Sequence, residues 1–114
     1  MPHFILDCSD NIFTTHDRQQ VMHVVFNAAE ESGLFNIEDI KVRIRAFSDF
    51  LTGGTDDRFV HVFGYIMEGR STPQKMALSR SVVSGLKNAF PDVPLVSMNV
   101  MEFEKATYNN RNTV

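Results

Sequence analysis

Arg58-Phe59-Val60-His61-Val62-Phe63-Gly64-Tyr65-Ile66-Met67-Glu68 is the stretch on which the fold turns. Phe59, Val60, Val62, Phe63, Tyr65, Ile66 and Met67 make its centre almost continuously apolar, as in a strand covered on both faces. Gly69-Arg70-Ser71-Thr72-Pro73 then turns the chain into a helix, with Ser71 or Thr72 as cap and Pro73 in the first turn. Leu78, Val82, Val83, Leu86 and Ala89 recur at helical spacing and should face a core. Pro91-Asp92-Val93-Pro94 breaks that helix, and a last strand is predicted over 95–104. The polar tail, 105–114, is expected to need a partner subunit for its order.

Upstream, the same pattern has already run once. Residues 2–8 read as a strand, with Phe4 and Leu6 on one face and Ile5 on the other. Ser9-Asp10-Asn11 is turn-like. Thr14 or Thr15 is the expected cap of a helix running to Ser32, whose apolar stripe is Val21, Val25 and Ala28 with Met22, Phe26 and Ala29 beside them. Gly33 stops it. A strand over 40–47 alternates Ile40, Val42, Ile44 and Ala46 with Lys41, Arg43 and Arg45. A loop containing Gly53-Gly54 leads back to Arg58.

The two runs match in spacing. Pro2 to Thr15 is 13 residues, and so is Phe59 to Thr72; Phe35 to Ile40 is five residues, and so is Phe90 to Leu95. This predicts an α+β fold of two fused βαβ units, with halves at about 2–47 and 58–104 in a single domain over 1–114. Each unit joins parallel strands by a right-handed crossover. The result is a four-stranded sheet with both helices on one face. The other face is bare in a monomer, so an oligomer is expected to cover it.

Composition narrows the function. The net charge of −3, with no long charge run, argues against a general binder of nucleic acid or anionic membrane. No apolar stretch is long enough to span a bilayer, and the N-terminus has no signal-peptide pattern. The lone Cys8 rules out an internal disulfide and fits a reducing cytoplasm; beside no His, it reads as a small core residue rather than a nucleophile. His3, His16, His23 and His61 show no metal-ligand spacing, so no metal site is expected. Gly53-Gly54 is too short a signal for a phosphate loop.

The groups that could carry chemistry are few. Pro2 directly follows the initiator Met, and so small a second residue permits its removal. Removal would leave a secondary amine that burial and neighbouring cations would keep unprotonated, a base usable near neutral pH. With Met1 attached, the same nitrogen is an amide and no base. Alternatively, Pro2 serves only to open an edge strand. Lys41, Arg43 and Arg45 share one strand face, and their repulsion calls for an anionic ligand or the carboxylates of a neighbouring chain, unless the strand is a solvated edge with acidic neighbours. Arg70 stands at a helix start, where backbone N–H groups favour anions.

These motifs together resemble the tautomerase superfamily. Residues 2–12, Pro-His-Phe-Ile-Leu-Asp-Cys-Ser-Asp-Asn-Ile, resemble the opening of its 5-carboxymethyl-2-hydroxymuconate delta-isomerase family, whose chains hold two fused βαβ units. Glu68-Gly69-Arg70-Ser71 with Gln74-Lys75 is similar to a segment of the short 4-oxalocrotonate tautomerases. Phe50-Leu51-Thr52-Gly53-Gly54 and Tyr108-Asn109-Asn110 are weaker likenesses, to the superfamily's aromatic-plus-glycine loop and to the isomerases' C-terminal Asn-Asn.

The resemblance implies a cytoplasmic, homotrimeric isomerase of aromatic-compound degradation that needs no cofactor, with Pro2 as the catalytic base. Its substrate would be a 2-hydroxymuconate-type di- or tricarboxylate. Arg70 would bind a substrate carboxylate and Phe50 would line the site. The family's strand-two arginine falls on Lys41, which keeps the charge but loses the two-pronged grip; Arg43, on the same face, is the other candidate. Two alternatives stay open: another superfamily activity on a smaller enol acid, and a non-catalytic oligomeric module.

Overall fold

The computed structural model describes residues 1–53 and 58–114; Gly54 of the Gly-Gly pair and the end of its loop lie outside the described residues. The elements in order are β1 (His3–Ser9), α1 (Arg18–Glu31), β2 (Lys41–Phe47), β3 (Phe59–Met67), α2 (Thr72–Ala89) and β4 (Leu95–Phe103). The four strands form one sheet in the order β2-β1-β3-β4. β1 is parallel to β2 and β3 to β4, whereas the central pair, β1 and β3, is antiparallel. Two βαβ units are thus joined side by side in opposite directions, which is the expected α+β fold.

Alternation along the central strands decides which face is covered. Phe4, Leu6 and Cys8 of β1 and Val60, Val62 and Ile66 of β3 are buried in one cluster with Val21 and Val25 of α1 and Leu78, Val82 and Leu86 of α2. Both helices therefore lie on the same side of the sheet. Two glycines make this packing close. A Cβ on Gly85 of α2 would stand 3.1 Å from Val24 Cγ1 of α1, and one on Gly64 would stand 2.7 Å from Met98 Cε.

Among the described residues no layer covers the opposite face. β1 presents His3, Ile5 and Asp7 there, paired in register with Lys41, Arg43 and Arg45 of β2. β3 presents a run of rings, His61 against Phe63 at 4.5 Å and Phe63 over Tyr65 at 6.4 Å. The three cations do share a face, but their repulsion is met within the chain. Arg45 Nε donates to Asp7 at 2.6 Å, Arg43 donates to His3 Nδ1 at 3.1 Å, and Lys41 Nζ donates to the carbonyls of Glu38 and Asp39.

Local outcomes differ from expectation at the first helix. α1 begins at Arg18 behind an Asp17 cap position, not at Thr14 or Thr15. Asp10–Thr14 is instead a 3-10 turn that puts Ile12 into the core. Both threonine hydroxyls are spent inside this turn, Thr14 on the Asn11 carbonyl and Thr15 on that of Ile12. Ser9, expected in a turn, ends β1 buried, where its hydroxyl accepts from the Phe59 amide at 3.0 Å. In the second half Ser71 is the cap, in a reciprocal box with Gln74. The tail makes contacts within its own chain. The Lys105 amide donates to the Glu68 carboxylate at 2.8 Å, and Tyr108 stacks on Phe103 at 5.4 Å.

Candidate active site

Pro2 sits just ahead of β1, on the helix-facing side, and is buried. Its carbonyl accepts the Lys41 amide at 3.1 Å, so the parallel pairing of β1 with β2 fixes the position of its nitrogen. A cavity of about 190 Å³ opens there, with Met1, Pro2, Leu34, Phe35, Asp39 and Arg70 in its wall.

Arg70 reaches this cavity because of how its turn is built. Gly69 takes φ +119°, a conformation L side chains rarely adopt, and passes the chain to the Ser71 cap of α2. The guanidinium is then pinned on three sides. Nη2 donates to the Leu34 carbonyl at 2.6 Å, Nη1 donates to the Met67 carbonyl at 3.3 Å, and the group lies 5.1 Å over the Phe35 ring. These bonds leave part of its five-donor fork uncommitted. Among the described residues no carboxylate forms an ion pair with Arg70. A fixed, half-buried cation with spare donors is what a carboxylate ligand requires.

The remaining predicted residues do not join this pair. Lys41 and Arg43 line a different and larger groove of about 520 Å³, between α1 and the outer edge of β2. His3, beside Arg43, has its pKa lowered by burial and then by the Arg43 guanidinium, which suits a neutral ring accepting at Nδ1. Phe50 packs edge-on against Phe59 at 5.4 Å. Phe59 starts β3 beside the far end of β1, so the length of that seven-residue strand, roughly 20 Å, separates Phe50 from Pro2.

Three contributors had escaped the sequence reading. Leu34 and Phe35, which hold Arg70, lie 36 and 35 residues from it, and only the repeated Phe35 and Phe90 hinted at a role. Asp39 looked like one more acid ahead of a strand. The other reactive types are occupied. Burial pushes the Cys8 thiol up to about 12, so it is no nucleophile. His16 is held by Asp92, His23 by the Gln19 carbonyl, and His61 by Ser97 and Asn99. Among the described residues no group of three His, Cys, Asp or Glu could hold a metal ion, and no helix is long and apolar enough to cross a membrane.

A search of curated proteins finds no match. Among solved structures, a 5-carboxymethyl-2-hydroxymuconate isomerase from Deinococcus radiodurans R1 is 22% identical, with TM-score 0.72 over 96% of this chain and 88% of that one. A 5-carboxymethyl-2-hydroxymuconate delta-isomerase is 15% identical, with TM-score 0.77 over 97% and 87%. A fused 4-OT described as an asymmetric trimer is 13% identical, with TM-score 0.76 over 96% and 92%. At these identities the likeness establishes the fold. The family model of 5-carboxymethyl-2-hydroxymuconate isomerase matches residues 2–114. The chain, an isomerase of tautomerase fold, belongs to the 5-carboxymethyl-2-hydroxymuconate isomerase family.

Proposed function

We propose that this protein, once Met1 is removed, isomerises 5-carboxymethyl-2-hydroxymuconate or a closely similar polycarboxylate with Pro2 as its base. The observation that carries the reading is the shared cavity of Pro2 and Arg70. Freed of Met1, the Pro2 nitrogen is a secondary amine in a buried position near a fixed guanidinium. Burial and like charge both disfavour its ammonium form, so it can accept a proton near neutral pH.

The reaction is a proton relay within one molecule. Pro2 takes the proton of the 2-hydroxyl, whose O–H electron pair becomes the C2=O bond as the conjugated double bonds shift. The prolinium then returns the proton to a carbon farther along the chain. Substrate and product are isomers, and the amine is regenerated. No electron is gained or lost, so the chemistry calls for no redox cofactor. Arg70 holds a carboxylate through the cycle and offsets charge that spreads through the dienolate.

The chain acts as one domain over 1–114 in a homotrimer, in the cytoplasm. The uncovered sheet face with its Phe63–Tyr65 stack supports the trimer. Phe50 lies at the far end of its own sheet and enters a site only if another copy brings it there. Lys41 and Arg43, which line the neighbouring groove, are not assigned a contact inside the Pro2 cavity.

The test has two parts: mass spectrometry of the N-terminus and ultraviolet absorbance of the tricarboxylate with purified protein. A mature chain starting at Pro2 with turnover of the tricarboxylate is expected. Equal turnover by a form that retains Met1 would overturn the mechanism.

A further inference from the structure

We propose that the hydroxyl of Tyr108, on the C-terminal tail, contacts the substrate and donates a hydrogen bond to the carboxylate farthest from Arg70. The inference rests on the reading of Pro2 as the base and adds a specificity-determining residue to that site.

It starts from the company Met1 keeps. Met1 lines the cavity of Pro2 and Arg70, and its Sδ accepts a hydrogen bond from the Tyr108 hydroxyl at 3.6 Å. Trimming takes Met1 away. Its side chain therefore holds the place of whatever next enters beside the freed Pro2 nitrogen. The thioether, a weak acceptor, stands in for a substrate oxygen, and a carboxylate oxygen is a far stronger acceptor for the same hydroxyl.

A second cavity of about 250 Å³, walled by His3, Phe103, Glu104, Thr107 and Tyr108, adjoins this contact. The Met1–Tyr108 contact stands between the two spaces, and loss of Met1 joins them into one elongated site. Arg70 is then at one wall and Tyr108 at the other. The lengths agree. Sδ is five bonds from the Pro2 nitrogen, a reach of roughly 6 Å, and a conjugated six-carbon diacid extends roughly as far from its 2-hydroxyl to its distal carboxylate.

The hydroxyl is aimed by packing. The Tyr108 ring stacks on Phe103 at the end of β4, with planes 30° apart, and the tail is tied back through the Lys105 amide to Glu68. Among the residues lining the tail wall there is no guanidinium; that of Arg43 stands behind His3, donating to its Nδ1 at 3.1 Å. His3 has a lowered pKa, through burial and the Arg43 guanidinium, and Glu104 is exposed at the rim, where solvent screens it. The distal end of the ligand thus meets a neutral donor, while Arg70 supplies the charge.

Tyr108→Phe is the test, since it keeps the ring stack and deletes only the hydroxyl. Calorimetry on Met1-trimmed protein would compare muconate, an unreactive six-carbon diacid, with sorbate, which lacks the distal carboxylate. Muconate should bind about tenfold more weakly to the variant than to the parent, with sorbate unchanged. Equal muconate affinity in variant and parent, an equal loss for both acids, or no muconate binding by the parent would each overturn the proposal. Because neither acid reacts, this titration decides Tyr108 separately from turnover. A parent that binds muconate as described but fails to isomerise the tricarboxylate would sink the isomerase reading alone.

Discussion

The two ends of the sheet are built alike and finished differently. At one end Arg70, ahead of α2, lies over Phe35, which follows α1. At the other, His16, ahead of α1, packs edge-on against Phe90, which follows α2, with ring centroids 4.8 Å apart. The pseudo-repeat exchanges the two pairs. Yet His16 is claimed by both carboxylate oxygens of Asp92 at 2.9 Å, and Arg58 adds a contact to the same group at 3.3 Å. Arg70 is braced only by carbonyls and meets no carboxylate among the described residues. Where one end carries Pro2, the register puts Arg58 at the other, in mid-chain, with no nitrogen a trimming step could free. The frame occurs twice, and among the described residues only one of the two side chains, Arg70, is left without a carboxylate.

The largest break in this comparison should come from Pro2. Pro2→Ala is expected to lower kcat by about a hundredfold or more, the usual worth of a positioned base, with some activity left because a primary amine can still take a proton. Phe59→Leu, at the start of β3 in the other half, should leave kcat within a factor of about two while lowering the melting temperature. Steady-state absorbance kinetics with a thermal melt separates the two; a large kcat loss in Phe59→Leu would place chemistry at both ends.

Next in size is Arg70. Arg70→Ala removes a charged contact made in ground and transition states alike, worth about 1.5–3 kcal/mol, so KM should rise roughly ten- to a hundredfold with kcat changed less. His16→Ala at the other end should leave KM alone. An unaltered KM in Arg70→Ala would move the carboxylate grip to Lys41 or Arg43, which Lys41→Ala and Arg43→Ala would then reveal.

The helix starts allow a smaller, purely structural contrast. The Ser71 hydroxyl accepts from the Gln74 amide and the Ser71 amide donates to the Gln74 side-chain oxygen, whereas Asp17 makes no side-chain cap bond to α1. Ser71→Ala should cost about 1 kcal/mol in denaturant unfolding and Asp17→Ala much less. Equal losses would mean that both helix starts depend on their caps alike.

The smallest effect concerns pH at the closed end. The His16 ring's hydrogen bond is the main cause holding the Asp92 carboxyl below its ordinary range. A depressed folded value means that this stabilisation is complete above about pH 4 and fades as pH falls through the lowered value. Asp92→Asn should therefore lower stability at neutral pH, where the interaction is complete, and change it little at acid pH, which flattens part of the acid limb of a stability profile. A variant that keeps the parent's full acid limb would contradict the assignment.

Much of the frame was legible because it depends on local periodicity. An almost continuous apolar run over residues 59–67, helical spacing through Val82 and Leu86, and equal spacings in the two halves suffice for a duplicated βαβ unit, since each element must bury its apolar residues. Pro2 and Arg70 were legible as residue types at an N-terminus and a helix start. Their meeting was not. It depends on the antiparallel joining of β1 to β3, which brings the turn after Met67 back beside Pro2, and on carbonyls of Leu34 and Met67 that any sequence could supply. The start of α1 was misjudged for a related reason: burial of Ile12 outweighed the capping preference of two threonines. Alternation put Lys41 and Arg43 on one face, but whether that face joins Pro2 or turns away is decided by the three-dimensional path of β2. Local preference acts between neighbours in the chain, whereas a site is made of groups far apart in sequence whose positions only packing can set.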